Sequence, residues 1–179
     1  MSISASAHTR LGLPLHSRII LAAGEFTPSD GMRMAAWAFG TLKYVAPGWH
    51  LVLCGDGPYR ESMRRFAHTI GIDGDDRIHF LRELPPLAEA CVVWGTHSSG
   101  GVALLRSALQ ADLPVVAMRT ADTETLAGAV FSPLNDPVTH AKLTRRVIAN
   151  LPPRPIATVS PALGMHHVNS HSLQGMLPL

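Results

Sequence analysis

Two glycine turns in this chain are placed to do chemistry. Gly100-Gly101 stands directly before Val102–Gln110, where apolar residues recur at helical spacing. The first N–H groups of a helix have no partner inside it. Together with the helix dipole they hold an anion without any side chain. The same pair serves equally well as a turn that packing alone requires. The second turn, Gly55-Asp56-Gly57-Pro58, links the apolar run Leu51–Cys54 to an amphipathic stretch over Tyr59–Ile70. Pro58 is expected at the first helical position, where a missing N–H costs nothing. Asp56 and Tyr59 are expected to fix the turn rather than touch a ligand.

The elements that must position these turns alternate along the chain. Arg18–Ala23 reads as a buried strand ending at Gly24. A polar loop follows, and Met32–Val45 reads as a helix with Met34, Trp37, Ala38, Leu42 and Val45 on its apolar face. Pro47-Gly48 breaks it. Leu51–Cys54, Ile78–Leu81, Cys91–Trp94, Val115–Met118 and Ala129–Phe131 read as five further strands. Between and after them lie helices over Tyr59–Ile70, closed by Gly71, and over Val102–Gln110 and Val138–Asn150. Leu84–Ala90 is a cramped helical turn limited by Pro85-Pro86. Strand and helix alternating on short turns predict an α/β fold, a three-layer, doubly wound, mostly parallel Rossmann-like sheet. Ligands of such sheets bind outside the carboxyl ends of the strands. One domain is expected over residues 1–151. Residues 152–179 form a Pro/His/Ser-rich tail, irregular or ending in a last helix.

Composition excludes several classes. The chain has 179 residues, is 46% hydrophobic and 16% charged, and carries a formal charge of +2. It is therefore globular, with dispersed basic residues that give no case for nucleic acid. No apolar run approaches the roughly 18 residues that span a membrane. Met1–Thr9 lacks the apolar core of a secretory signal. Cys54 and Cys91 sit in expected buried strands, which points to reduced thiols and a cytoplasmic protein. His166, His167 and His171 lie in the tail. No Cys, Asp or Glu follows there to complete a coordination shell, so no metal is expected.

Several segments, taken in order, resemble one family. They are Leu11-Gly-Leu-Pro14, Ile20–Gly31, Leu51–Pro58, Ile78–Leu81, Gly100–Ala117 and Phe131–Pro137. The set is similar to the C-terminal, donor-binding domain of group 1 (family 4-like) GT-B glycosyltransferases, and it covers nearly everything from Leu11 to Asn150. The resemblance implies one half of a GT-B fold and a nucleotide-diphosphate sugar as ligand, with no other cofactor. It also implies a separate N-terminal Rossmann-like domain that supplies most of the acceptor site. On this reading the chain is half an enzyme, a split gene product or a stand-alone remnant.

The residues carried over from the family are partly lost. The family has an Arg after the glycine that ends the first strand, and a Lys before the last glycine of the following loop. Both cations hold the donor diphosphate. Here Gly24 is kept, but Glu25 and Asp30 stand at the two cation positions. As solvated loop charges, with Asp30 capping the next helix, both are explained without a ligand. The two carboxylates of the family's Glu-x7-Glu motif fall at Ser99 and Ser107. One short hydroxyl cannot span a vicinal diol. Without a ligand, Ser99 is a turn or cap residue and Ser107 a small residue packed on the sheet. The expected donor and phosphate contacts are Gly24, Ser99, Gly100, Gly101, Val102 and Ser107, with no catalytic residue assigned. His97 is a further candidate phosphate donor, and Arg106 and Arg119 are candidate replacement cations. Arg82–Leu84 falls where the family seats the base. Glu124, beside Thr123 and Thr125, matches an acid common after the fifth strand, or caps a helix.

Two functions follow. One is a nucleotide-sugar donor-binding domain, inactive without its acceptor domain. The other is a degenerate, non-catalytic binding or scaffold module that keeps the fold alone.

Overall fold

The computed structural model describes residues 6–71, 77–95 and 101–152. Within them a six-stranded sheet runs in the order β3-β2-β1-β4-β5-β6. The strands are β1 (Arg18–Ala23), β2 (Trp49–Cys54), β3 (Ile78–Leu81), β4 (Ala90–Gly95), β5 (Val115–Met118) and β6 (Val130–Ser132). Every pairing between neighbours is parallel. Parallel strands need crossovers, and α-helices supply those from β1 to β2, β2 to β3 and β4 to β5. The helices are α1 (Ala7–Leu11), α2 (Met32–Leu42), α3 (Arg60–Ile70), α4 (Gly101–Gln110) and α5 (Pro137–Ala149), with a short 3-10 turn at Leu87–Glu89 before β4.

Alternate residues along each strand feed two separate cores. Ile20, Leu51, Leu53, Val92, Trp94 and Val116 face α2, α3 and α5. Ile19, Leu21, Val52, Val93, Val115 and Ala117 face α1 and α4. Both faces are covered, so the central strands are apolar throughout, as a parallel sheet requires.

The structure corrects several local expectations. α2 stops at Leu42, and Val45 lies beyond it, exposed, its N–H bonded to the Leu42 carbonyl at 3.0 Å. Trp37 is also outside the core, about half exposed (52%), with its ring 6.0 Å from Phe66. The buried stripe of α2 is instead Met34, Ala35, Ala38, Phe39 and Leu42. Pro58 does not open α3. The helix begins at Arg60, because the Tyr59 N–H is held by the Phe26 carbonyl (2.9 Å) and the Arg60 N–H by the Gly57 carbonyl (3.1 Å). The helical turn expected over Leu84–Ala90 shortens to Leu87–Glu89.

α1 was not anticipated. Ser6 caps it by accepting from the His8 N–H, and Gly12 ends it in the left-handed conformation at φ 64°. Glu89 fastens it from across the chain, accepting from the Ser6 hydroxyl (2.9 Å) and the Ala7 N–H (2.8 Å).

Candidate functional site

The chain leaves β1 in one direction to form β2 and β3, and resumes on the other side of β1 with β4. The reversal puts a crevice at the carboxyl ends of β1 and β4, where doubly wound folds bind their ligands. Gly24 follows β1 immediately, and β4 ends alongside at Gly95, with Ala22 opposite Trp94. Six residues later α4 begins at Gly101. A side chain at Gly95 would meet Leu105 of α4 and Ala117 of β5, each 2.7 Å from an added Cβ. Glycine there lets α4 lie close on the sheet.

Of the expected contacts, Gly24, Gly101, Val102 and Ser107 fall within the described residues. Gly101 is buried at the start of α4 and Val102 is half-buried behind it. Ser107 is exposed, which overturns the expectation that it packs on the sheet; Leu105 and Ala108 do that instead. Ser99, Gly100 and His97 lie outside the described residues.

The two acids at the cation positions behave differently. Glu25 is exposed. Asp30 is only 3% exposed, so it is no solvated loop charge, and the residue at the cap position of α2 is Gly31, with Asp30 one residue before it. Its Oδ1 accepts from the Met32 N–H (3.0 Å) and its Oδ2 from the Thr27 N–H (3.1 Å). Burial pushes its carboxyl above the ordinary value, against the pull of those two amides. Both oxygens thus close the loop that leads into α2.

The Gly-Asp-Gly turn supports that same loop. The Phe26 N–H donates to the Asp56 carbonyl (3.0 Å) and the Gly24 N–H to the Cys54 carbonyl (3.0 Å). An added Cβ on Gly55 would lie 1.9 Å from the Gly24 carbonyl oxygen, and one on Gly57 2.7 Å from that of Phe26. The φ angles, 135° and 154°, also favour glycine. Asp56 Oδ1 accepts from the Gly57 N–H at 3.0 Å. Asp56 and Tyr59 therefore fix the turn as expected, Tyr59 through its backbone.

Of the candidate replacement cations, Arg106 is exposed on α4. Arg119 is engaged, with Glu124 at 3.7 Å and the Phe131 ring 5.2 Å away. Glu124 caps no helix, since the segment after β5 is a turn. Thr123 organises that turn, donating to the Met118 carbonyl at 2.7 Å and accepting from the Thr120 N–H at 2.8 Å. Arg82, named above only where the family seats the base, belongs instead to a group of cations at this edge that sequence reasoning did not assemble. Arg60, Arg64 and Arg82 line one groove with Asp56 and Glu61. The i, i+4 spacing of Arg60 and Arg64 was the available signal. Among the described residues no group of His, Cys, Asp and Glu is arranged to hold a metal, and no helix is long and apolar enough to cross a membrane.

The sheet order and the covering helices give the chain the Rossmann-like fold found in the C-terminal domain of GT-B glycosyltransferases. Among solved structures the chain is similar to Anabaena Alr3699/HepE in complex with UDP and glucose (TM-score 0.65, 16% identity, 80% of this chain and 41% of that one). It is similar to sucrose-phosphate synthase from Thermosynechococcus elongatus (TM-score 0.60, 19% identity, 80% and 39%). It is also similar to the C-terminal domain of a glycosyl transferase group 1 family protein, LpcC, from Francisella tularensis (TM-score 0.64, 13% identity, 74% and 76%). The chain thus spans about two fifths of the length of HepE and of the synthase. By sequence it matches no protein-family model and no curated relative.

Proposed function

We propose that this chain is the nucleotide-sugar donor-binding half of a glycosyltransferase-type protein, and that it transfers no sugar without a separate N-terminal Rossmann-like domain. One observation supports the reading: Gly24 follows β1 and α4, starting at Gly101, follows β4, the two adjacent strands between which the strand order reverses. That happens in a fold shared with a protein solved with UDP and glucose. The amide groups opening α4 would receive the donor phosphates, and Val102 and Ser107 would lie beside the nucleotide. The ligand would be a nucleotide-diphosphate sugar, with no other cofactor. The free thiols Cys54 and Cys91 fit a cytoplasmic setting.

A second reading, a degenerate scaffold module without catalysis, is favoured by Asp30. Its carboxylate is fully used in shaping the loop where the family holds a phosphate-binding lysine. Losing two charge-assisted contacts at about 1.5–3 kcal/mol each would weaken diphosphate binding by roughly 10²- to 10⁴-fold.

Calorimetry with UDP, GDP and their sugar conjugates separates the two. Micromolar binding supports the donor-binding half, and no heat at millimolar nucleotide supports the scaffold. Gly101→Pro removes one amide while keeping a residue suited to a helix start. Nucleotide binding that survives this change would rule out the α4 terminus as the phosphate site.

A further inference from the structure

The carboxyl edge of the sheet carries a second polar recess, away from α4. It is a shallow groove of about 350 Å³ lined by Asp56, Gly57, Arg60, Glu61, Arg64 and Arg82. Three guanidinium groups from two elements converge there: Arg60 and Arg64 one turn apart on α3, and Arg82 just past β3. Arg60 is anchored. Its Nη1 donates to the Gly55 carbonyl and, at 3.2 Å, to that of Leu81, tying the ends of β2 and β3 together. Arg64 lies over the Phe80 ring, its guanidinium carbon 5.6 Å from the centroid.

Two acids oppose these three cations, and only one contact is close. Arg82 Nε stands 3.6 Å from Asp56 Oδ2, and both side chains are largely exposed. Such a pair contributes little and opens readily. The guanidinium pKa of Arg60 is depressed below its ordinary value, first by burial and then by Arg64 and Arg82, with Asp56 pulling the other way. Like charges held this close repel one another unless an anion joins them. A phosphate group accepts bidentate hydrogen bonds from guanidinium forks, and its several oxygens let more than one guanidinium share it.

We infer that the Arg60–Arg64–Arg82 groove at the carboxyl ends of β2 and β3 is a binding site for a phosphate-bearing ligand, distinct from the α4 terminus. Arg60 is the fixed floor of the site. Arg64 and Arg82 are the arms that close on the anion, Arg82 exchanging Asp56 for it. The site goes beyond the donor-binding reading and does not depend on it.

Calorimetric titration of the full chain with inorganic pyrophosphate, and separately with UDP, tests this. Arg64→Gln combined with Arg82→Gln removes two exposed charges and leaves the Arg60 anchor intact. The expected result is pyrophosphate binding at low salt, weakened at least about tenfold in the double variant. The dependence of binding on salt becomes shallower, and Gly101→Pro leaves the affinity unchanged. If UDP weakens in parallel, the groove holds a nucleotide's own diphosphate; if only pyrophosphate weakens, it holds a separate phosphate. Pyrophosphate binding that ignores the double variant overturns the inference, as does its failure to bind at millimolar concentration. UDP binding lost in Gly101→Pro would then still uphold the donor-binding reading. Binding of pyrophosphate but not UDP, lost in the double variant, upholds the groove and removes that reading.

Discussion

Asp30 shows how a residue that falls where the family resemblance expects a ligand contact is explained by architecture. Its two oxygens satisfy the amides of Thr27 and Met32, and the side chain is almost wholly buried. Glu25, five positions earlier, is exposed. The two acids therefore differ in how readily they can be reversed. Asp30→Lys is expected to cost about 2–3 kcal/mol, because two buried amides lose their acceptor. Glu25→Arg is expected to leave stability within about 0.5 kcal/mol and to tighten UDP binding. Urea denaturation and calorimetry on the two variants check both parts. Equal stability losses at the two positions would contradict the division made here. Although the cap position itself falls to Gly31, that Asp30 would bond the start of α2 was legible from its place before an apolar helix. Its burial was not, because burial depends on how the Phe26 segment folds over β2 and β3, and no local pattern reports that.

At the scale of elements, the strands were the most legible part, since continuous apolar runs bounded by Gly and Pro have few alternative readings. Arg18–Ala23, Ile78–Leu81 and Val115–Met118 fall where the apolar pattern puts them. The helix faces were less legible. α2 is buried between α3 and α5 as well as on the sheet, so its apolar stripe is wide and Trp37 at the rim looks like a core residue. α1 escaped notice because five residues carry no periodicity, and its stability comes from Glu89, far along the chain. The Gly55-Asp56-Gly57 turn is the instructive case. Its glycines are equally required by a ligand's close approach and by a neighbouring backbone, and a sequence cannot tell these apart. The structure gives the space to the backbone of Gly24 and Phe26. Gly55→Ala is therefore expected to destabilise the chain by about 2–4 kcal/mol. Its urea midpoint falls at unchanged slope, whether or not a nucleotide is present. A variant of native stability that had lost only ligand binding would return the turn to a functional role.

At the scale of the molecule, one sheet separates the two cores, and the polar side chains buried with them must find partners inside. One such group links β4, β6 and α5. Trp94 Nε1 donates to the Thr144 hydroxyl (2.9 Å), which donates to the His140 carbonyl (2.9 Å). His140 Nδ1 lies 2.8 Å from the Ser132 hydroxyl, and its ring meets Trp94 edge-on, centroids 4.8 Å apart. Its Nε2 is buried without a partner. A neutral ring protonated on Nδ1 suits these surroundings. It donates to Ser132 and leaves a bare lone pair, rather than an unmatched N–H, against the apolar core. Burial accordingly lowers the His140 pKa to about 4, only partly offset by Asp136. The unfolded chain takes up this proton first, near the ordinary value of 6.5. The stability contributed by neutral His140 is therefore complete above that pH and is lost as pH falls from 6.5 toward 4. Summed over the window, the loss is about 3 kcal/mol. His140→Gln keeps a polar partner for Ser132 but cannot titrate. Denaturation of both proteins across this range should give a wild-type curve that steepens toward acid and a variant curve that is flatter by the same amount. Parallel curves would mean that His140 is already charged in the folded state, and that the buried polar group is held together differently.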